Sequence, residues 1–195
     1  VAVLEVPTAY KGAAANSMRA TFNSSSIKNI EQMYETYYKN IYDRVKVRDS
    51  IGYEDNTSQN ILTVRENYDI TDIWVPDGKH EYVSVQARAI FERIPSPDED
   101  HPDKPLALAY PVDIDFTSIT IMPETWVFSD EGFSITTPSY SFKFTPQLED
   151  NKVILKYRYI TYRDHIPAEE MKQYKKDYDK IVKSLQYSLS NNKDL

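Results

Sequence analysis

Two aspartates on one short segment have the spacing that acid–base chemistry needs. Asp113 and Asp115 lie two residues apart, so on a β-strand both carboxylates point to the same side, about 6.5 to 7 Å apart along the chain. That separation suits an inverting glycosidase, whose two carboxyl groups leave room for a water molecule. Val112, Ile114 and Phe116 alternate with the aspartates, however, which is typical of a half-buried strand. We therefore expect both carboxylates to be solvated. A glycoside-processing enzyme is the least favoured of three functional hypotheses for this chain.

The other residue types that carry chemistry form no recognised motif. The absence of cysteine excludes a thiol nucleophile, a disulfide and cysteine-ligated zinc. His80, His101 and His165 are isolated in the sequence, and Asp164 next to His165 should point to the opposite face of a strand. The acidic loop 98–103 lacks the ligand spacing of an EF-hand, and no GxSxG, GxGxxG or P-loop string occurs. We predict no catalytic residue, no metal site and no cofactor.

One acidic residue interrupts an apolar strand face. The residues that alternate on this face are Leu62, Val64, Glu66, Tyr68 and Ile70. A buried carboxylate costs free energy unless a cation or several donors meet it, and we expect Arg19 to supply a guanidinium for Glu66. The alternative is a local bulge that turns Glu66 outward. Glu66 and Arg19 are the structural candidates that the sequence offers.

Aromatic side chains are abundant, with 16 tyrosines and a total aromatic content of 13%. Trp74, Trp126 and exposed tyrosines could stack on sugar rings, which would make the chain a binding module for polysaccharide or protein. Many of these aromatics fall on periodic apolar faces, so we expect most of them to pack in the interior.

The elements that must position these residues follow from periodicity and from capping. A strand is predicted over 1–10, a short helix over 13–22, and a helix over 27–45 that buries Ile30, Met33, Tyr37 and Ile41. Gly52 and the polar run from Glu54 to Gln59 should end a short valine-containing segment, and Asp77-Gly78 predicts a hairpin before an alternating strand over 82–94. Closely spaced strands follow, and a helix begins at Pro167.

These patterns predict an α+β fold: a mostly antiparallel β-sandwich or curved sheet with one helix in the N-terminal half and a C-terminal helix packed on it. We expect a single module over 1–195, with a division into 1–94 and 105–195 as the alternative. The first residue is Val1 and no leader precedes it, which indicates a fragment of a longer protein. No apolar stretch is long enough to span a membrane. A net charge of −7, from 23 basic and 30 acidic residues, disfavours nucleic acid as a partner.

Several strings resemble a known family over nearly the whole chain. They are YKGAAANSMR (10–19), EDNTSQNILTVRENYDI (54–70), KPLALAYP (104–111), ITIMPETW (119–126) and YRYITYRDHIPAEEMKQY (157–174). In this order they resemble the C-terminal region of bacterial transglutaminase-like proteins, in which an N-terminal β domain precedes a papain-like core.

The resemblance implies an accessory role rather than catalysis. The Cys, His and Asp triad of that family lies upstream of the region that this chain resembles, so no catalytic residue is carried over. It implies a non-catalytic β domain that packs on or orients the transglutaminase-like core of the same chain. Such proteins are typically exported, so the resemblance also implies a periplasmic or cell-envelope location.

Overall fold

The computed structural model describes residues 1–77, 80–98, 104–123 and 128–190. Within them the chain is α+β, with four helices and antiparallel sheets, which confirms the predicted fold class. Gly78, His101 and Trp126, and most of the acidic loop 98–103, lie outside the described residues together with the predictions that fall on them. The chain forms two compact units, residues 1–75 and 76–195. The boundary lies upstream of the 95–104 loop that the alternative division used.

Unit 1 is a three-stranded sheet with two helices. Its elements are β1 (Ala2–Lys11), α1 (Ala13–Ser24), α2 (Ile27–Lys39), β2 (Val45–Asn56) and β3 (Ile61–Ile70). The strand order is β1-β3-β2, and all pairings are antiparallel. Gly12 turns the chain from β1 into α1 with a φ of 57°, which glycine adopts without steric cost. The Ser26 side chain caps α2 by accepting a hydrogen bond from the Asn29 amide.

The helices of unit 1 cover one face of its sheet. The core there contains Ala15 of α1, Ile30 of α2, and Leu62 and Val64 of β3. The prediction of a buried Met33 is wrong, because its side chain is 49% exposed. The apolar stripe of α2 is therefore narrower than its spacing suggested, and the helix ends at Lys39.

Strand β2 runs longer and less regularly than the sequence indicated. It continues through Gly52 to Asn56 instead of ending at that glycine. Its register against β3 shifts twice, between Val47 and Asp49 and between Asp49 and Gly52. Residues in a bulge lie outside the regular ladder, so the side chains of β2 do not keep the strict alternation that predicts a strand.

Unit 2 contains most of the strands. Its elements are β4 (Val75–Asp77, which begins at the last residue of unit 1), β5 (His80–Gln86), α3 (Arg88–Phe91), β6 (Leu106–Ala107), β7 (Asp113–Ile121), β8 (Phe133–Thr136), β9 (Tyr140–Glu149), β10 (Lys152–Thr161), β11 (His165–Ile166), α4 (Met171–Leu185) and β12 (Gln186–Ser190). The main sheet has the order β7-β10-β9-β8, and two smaller sheets have the orders β12-β5-β4 and β11-β6. Strands β4 and β5 are neighbours in one sheet, and Gly78 of the predicted Asp77-Gly78 turn lies outside the described residues.

The prediction of one strand over 82–94 is only half right. The chain leaves the strand at Gln86 and forms the short helix α3, in which Ile90 is fully buried. Ala87 and Ile90 are the buried positions, while Phe91 is 37% exposed, so the burial period is three rather than two. Strand β12 directly follows α4 and was not predicted.

The C-terminal helix packs on the inner face of the main sheet, as predicted. Tyr157 of β10 donates a hydrogen bond to the Ser184 carbonyl of α4 at 2.8 Å. The rings of Tyr140 and Tyr174 meet edge to face with centroids 5.7 Å apart. These contacts fix α4 against the aromatic side of the sheet. Pro167 precedes a 3-10 turn, Ala168–Glu170, and α4 begins after it.

Candidate functional site

Glu66 lies on the inner face of the unit 1 sheet with 3% of its surface exposed. It pairs with Val6 of β1, while on β2 the register passes from Asn67 to Arg65 without a partner for Glu66. The alternative, a local bulge that turns Glu66 outward, is therefore wrong, and the register shifts lie in β2 instead. They leave Glu66 pointing inward.

A tyrosine hydroxyl is the hydrogen-bond donor that meets this carboxyl group. The Tyr68 hydroxyl donates to Oε2 of Glu66 at 2.6 Å. Burial raises the pKa of Glu66 to about 7, and the hydrogen bond from Tyr68 only partly opposes that rise. Glu66 therefore changes its charge near neutral pH.

Four tyrosines surround Glu66, and we call Tyr10, Tyr34, Tyr38 and Tyr68 the tyrosine cluster. The hydroxyls of Tyr10 and Tyr34 are 3.0 Å apart, and the rings of Tyr38 and Tyr68 have centroids 4.7 Å apart. Burial raises the pKa of each of these hydroxyls above its ordinary value. The cluster thus supplies neutral donors and no base.

The bulged part of β2, residues 48–51, is tied to helix α2 by Glu31. Oε1 of Glu31 accepts hydrogen bonds from the Ser50 hydroxyl at 2.5 Å and from the Ile51 backbone amide at 2.9 Å. These two hydrogen bonds lower the pKa of Glu31, and the bond from Ser50 has the larger effect. A cavity of about 10 Å³, room for about one water molecule, lies beside the bulge. Its lining residues are Glu31, Val47, Asp49, Ile51, Glu66, Asn67 and Tyr68.

Arg19 does not contact Glu66, so the expected pairing is wrong. Its guanidinium binds both oxygens of Asp55, at 2.8 to 3.0 Å, and also the side-chain oxygens of Asn16 and Asn60. Asn60 lies six residues before Glu66, which is about 20 Å along an extended strand. Helix α1 therefore presents Arg19 to the β2–β3 turn, beyond reach of Glu66.

In unit 2, Asp113 and Asp115 lie on the exposed side of β7, where the alternation placed them. Arg158 of β10 contacts both carboxylates, with Nη2 2.7 Å from Asp113 and Nη1 against Asp115. The guanidinium lies between the two carboxylates, where an inverting pair would hold its water. Asp113, Asp115 and Arg158 therefore form an ion-pair triad on the surface.

The same side of β7 becomes apolar toward its C-terminal end. Ile119 and Ile121 are 60% and 66% exposed. Strand β7 lies at the edge of its sheet, pairing with β10 in an unbroken register from Asp113 to Ile121. Outside that ladder, no backbone hydrogen bond joins 113–121 to another part of the described chain. Helix α3 also contacts β7. An edge strand whose outer side carries exposed apolar residues can accept a further strand.

The sequence analysis did not predict a second buried carboxyl group, that of Asp177 in α4. It is 8% exposed and accepts hydrogen bonds from the Tyr140 hydroxyl and from the side-chain amide of Gln173, both at 2.8 Å. A signal was present, since Asp177 lies three residues after Tyr174 and four before Ile181, inside the apolar stripe of its helix.

The expectation for Asp164 and His165 is wrong. Their side chains are hydrogen-bonded at 2.7 Å between Oδ1 and Nδ1. The two residues do not lie on one strand, because β11 begins at His165, so the alternation rule does not apply to them. Both side chains are largely exposed, and the pair forms a surface contact.

Among the described residues, no group of three or more acidic or histidine side chains is placed to hold a metal ion. No helix in the described ranges is long and apolar enough to cross a membrane. Comparisons of this chain with protein-family models, with curated proteins and with solved structures found no match. None of them links the chain to transglutaminase-like proteins, so that resemblance rests on the quoted strings alone.

Proposed function

We propose that this chain is a non-catalytic interaction module that binds an extended segment of another polypeptide along the free edge of β7. The observation that carries the proposal is the combination of length, regularity and exposed isoleucines on this edge strand. An added strand gains main-chain hydrogen bonds from the edge, while alternate side chains provide specificity.

The other edges of the larger sheets support this choice, because each has a feature that hinders strand addition. Strand β1 carries Pro7 near its middle, β2 is bulged, and β8 has four residues. In the smaller β12-β5-β4 sheet, β4 has three residues and β12 has five. Strand β7 has nine residues, no proline and no bulge.

The side chains of β7 indicate what the bound segment should be. Asp113 and Asp115 lie at one end of the exposed side, where the single guanidinium of Arg158 leaves a net negative charge, and Ile119 and Ile121 are at the other end. Cross-strand neighbours lie about 4.5 to 5.5 Å apart, so an antiparallel partner needs apolar residues first and basic residues later. The partner is thus an extended, amphipathic and partly basic segment.

In the setting that the resemblance implies, this segment would belong to the transglutaminase-like core of the same exported protein, in the periplasm or cell envelope. That part of the proposal rests on the resemblance alone. Binding of polysaccharide through exposed aromatics is the competing hypothesis, and the test below separates the two.

A designed peptide tests the proposal. It has the length of β7, with valines at alternate positions of its N-terminal half, lysines at alternate positions of its C-terminal end and threonines between them. A second peptide has glutamates in place of the lysines. We expect fluorescence anisotropy to detect binding of the lysine peptide to the whole chain and at least about tenfold weaker binding of the glutamate peptide.

Two variants locate the binding surface. Ile119→Lys should weaken binding of the lysine peptide about tenfold, because lysine on an edge strand opposes strand addition. Leu148→Lys is the matched control on β9, since Leu148 is also an exposed aliphatic residue, and it should bind as the wild type does. Equal binding by both variants would contradict the proposal. A wild-type dimer that Ile119→Lys dissociates would identify a second copy as the occupant, and glycan binding that survives Ile119→Lys would favour the alternative.

A further inference from the structure

We propose that Glu66 and the bulged segment 48–51 form a proton-operated latch: protonated Glu66 lets the segment rest against Glu31 of α2, and loss of that proton releases it. The latch lies entirely within unit 1 and is independent of the β7 edge.

The first reason is that the surroundings of Glu66 cannot solvate its ionised form. An ionised carboxylate offers about four acceptor sites. Within the described residues Glu66 receives one hydrogen bond, from Tyr68, and the adjoining cavity of about 10 Å³ has room for no more than about one water molecule. Ionised Glu66 therefore needs water that the closed arrangement has no room for.

The second reason is the charge of the groups that face Glu66. Tyr10 of β1, Tyr34 and Tyr38 of α2 and Tyr68 of β3 are neutral hydroxyls. Glu31 of α2 and Asp49 of β2 are acids that line the same cavity, and no lysine or arginine lines it. A third negative charge there is not compensated by a cation. Arg48, the one basic residue of the segment 48–51, pairs instead with Asp69.

The third reason is that the bulged segment is the wall that can move. Its register against β3 shifts on both sides of Asp49, which alone in the segment keeps a partner there, Asn67. Its ties to helix α2 are the two hydrogen bonds that Glu31 accepts from Ser50 and Ile51. A contact between Asn67 and Asp49 at 3.4 Å adds little. Moving the segment outward admits water to Glu66 without breaking the β1–β3 ladder.

The titration of Glu66 falls in a useful range. Burial raises its pKa to about 7, so the latch is closed in mildly acidic solution and opens as the pH rises through neutrality.

Hydrogen exchange of the Ile51 amide tests the latch in the whole chain, with the amide of Val64 in the β3 ladder as internal reference. In the wild type, the protection factor of Ile51 relative to Val64 should fall about tenfold or more between about pH 5.5 and about pH 8.5. In Glu66→Gln, which keeps the shape but cannot ionise, this ratio should stay constant. In Glu31→Ala it should be low at both pH values, because the segment has lost its tie.

A constant ratio in the wild type, or a pH dependence that persists in Glu66→Gln, would overturn the proposal. A direct measurement on the wild type covers the case in which a variant fails to fold. The side-chain carboxyl carbon of Glu66, followed by NMR, should titrate with a midpoint near 7. A midpoint below about 5 would equally overturn the latch.

Discussion

Two buried carboxyl groups, Glu66 in unit 1 and Asp177 in unit 2, are held in different ways. Each accepts a hydrogen bond from a tyrosine, Tyr68 at 2.6 Å for Glu66 and Tyr140 at 2.8 Å for Asp177. Asp177 also accepts a hydrogen bond at its other oxygen, from Gln173. Glu66 has no second donor within the described residues and lines a small cavity instead.

The comparison shows that burial alone does not determine what a carboxyl group does. The two oxygens of Asp177 each have a protein donor, which replaces the water that was lost on folding and joins α4 to β9. One oxygen of Glu66 lacks such a replacement, so its charged form remains costly. The first arrangement is structural, and the second responds to pH.

The largest expected effect is a loss of stability of unit 1 as the pH rises from mildly acidic to neutral and above. The pKa of Glu66 is about 7 in the folded chain and about 4.5 when exposed, so folding retains a proton between these values and stability falls as the pH rises through them. The full shift corresponds to about 3 kcal/mol. Urea unfolding at about pH 5 and about pH 8, followed through amide signals of β3, measures this difference.

Glu66→Gln is the matched control for that measurement. It should resemble the wild type at the lower pH and be the more stable protein at the higher pH, since no charge is then buried. This differs from what an Arg19 ion pair would require, because a paired Glu66 would make the same substitution destabilising. Equal pH dependence in both proteins would remove the contrast with Asp177.

The next largest effect is expected at Asp177. Asp177→Ala should cost about 2 to 3 kcal/mol, since it leaves the Tyr140 hydroxyl and the Gln173 amide without their acceptor. Asp179→Ala, on the exposed side of the same helix, should change the stability by less than about 0.5 kcal/mol. Thermal unfolding of unit 2 at a fixed pH compares them, and equal effects would show that Asp177 is dispensable.

The smallest effect is expected when the tyrosine donors to the two carboxyl groups, Tyr68 and Tyr140, lose their hydroxyls. Tyr140→Phe and Tyr68→Phe should each cost about 1 to 2 kcal/mol, the typical contribution of one hydrogen bond to a carboxyl group. The cost of Tyr68→Phe should grow as the pH rises, and the NMR midpoint of Glu66 should move upward, because Tyr68 favours the ionised form. A midpoint that Tyr68→Phe leaves unchanged would show that burial alone sets the titration of Glu66.

Much of the fold could be predicted because it depends on local patterns. The alternation over 62–70 predicted both strand β3 and its inner face, and the serines before Ile27 predicted the start of α2. The prediction failed at α3, where Ala87 and Ile90 are buried three positions apart within a segment that reads as alternating. It also failed at the β2 bulge, since a bulge depends on the partner strand as much as on its own residues.

The sequence by itself determined which acidic residue interrupts the inner face of β3, because side-chain direction in a strand follows from position alone. It also determined that Asp113 and Asp115 share the exposed side of β7. Only the tertiary structure decided the partners. Arg19 reaches Asp55 and Tyr68 meets Glu66, because the distance between side chains from different elements depends on how helices and strands pack, and one sequence carries no record of that distance.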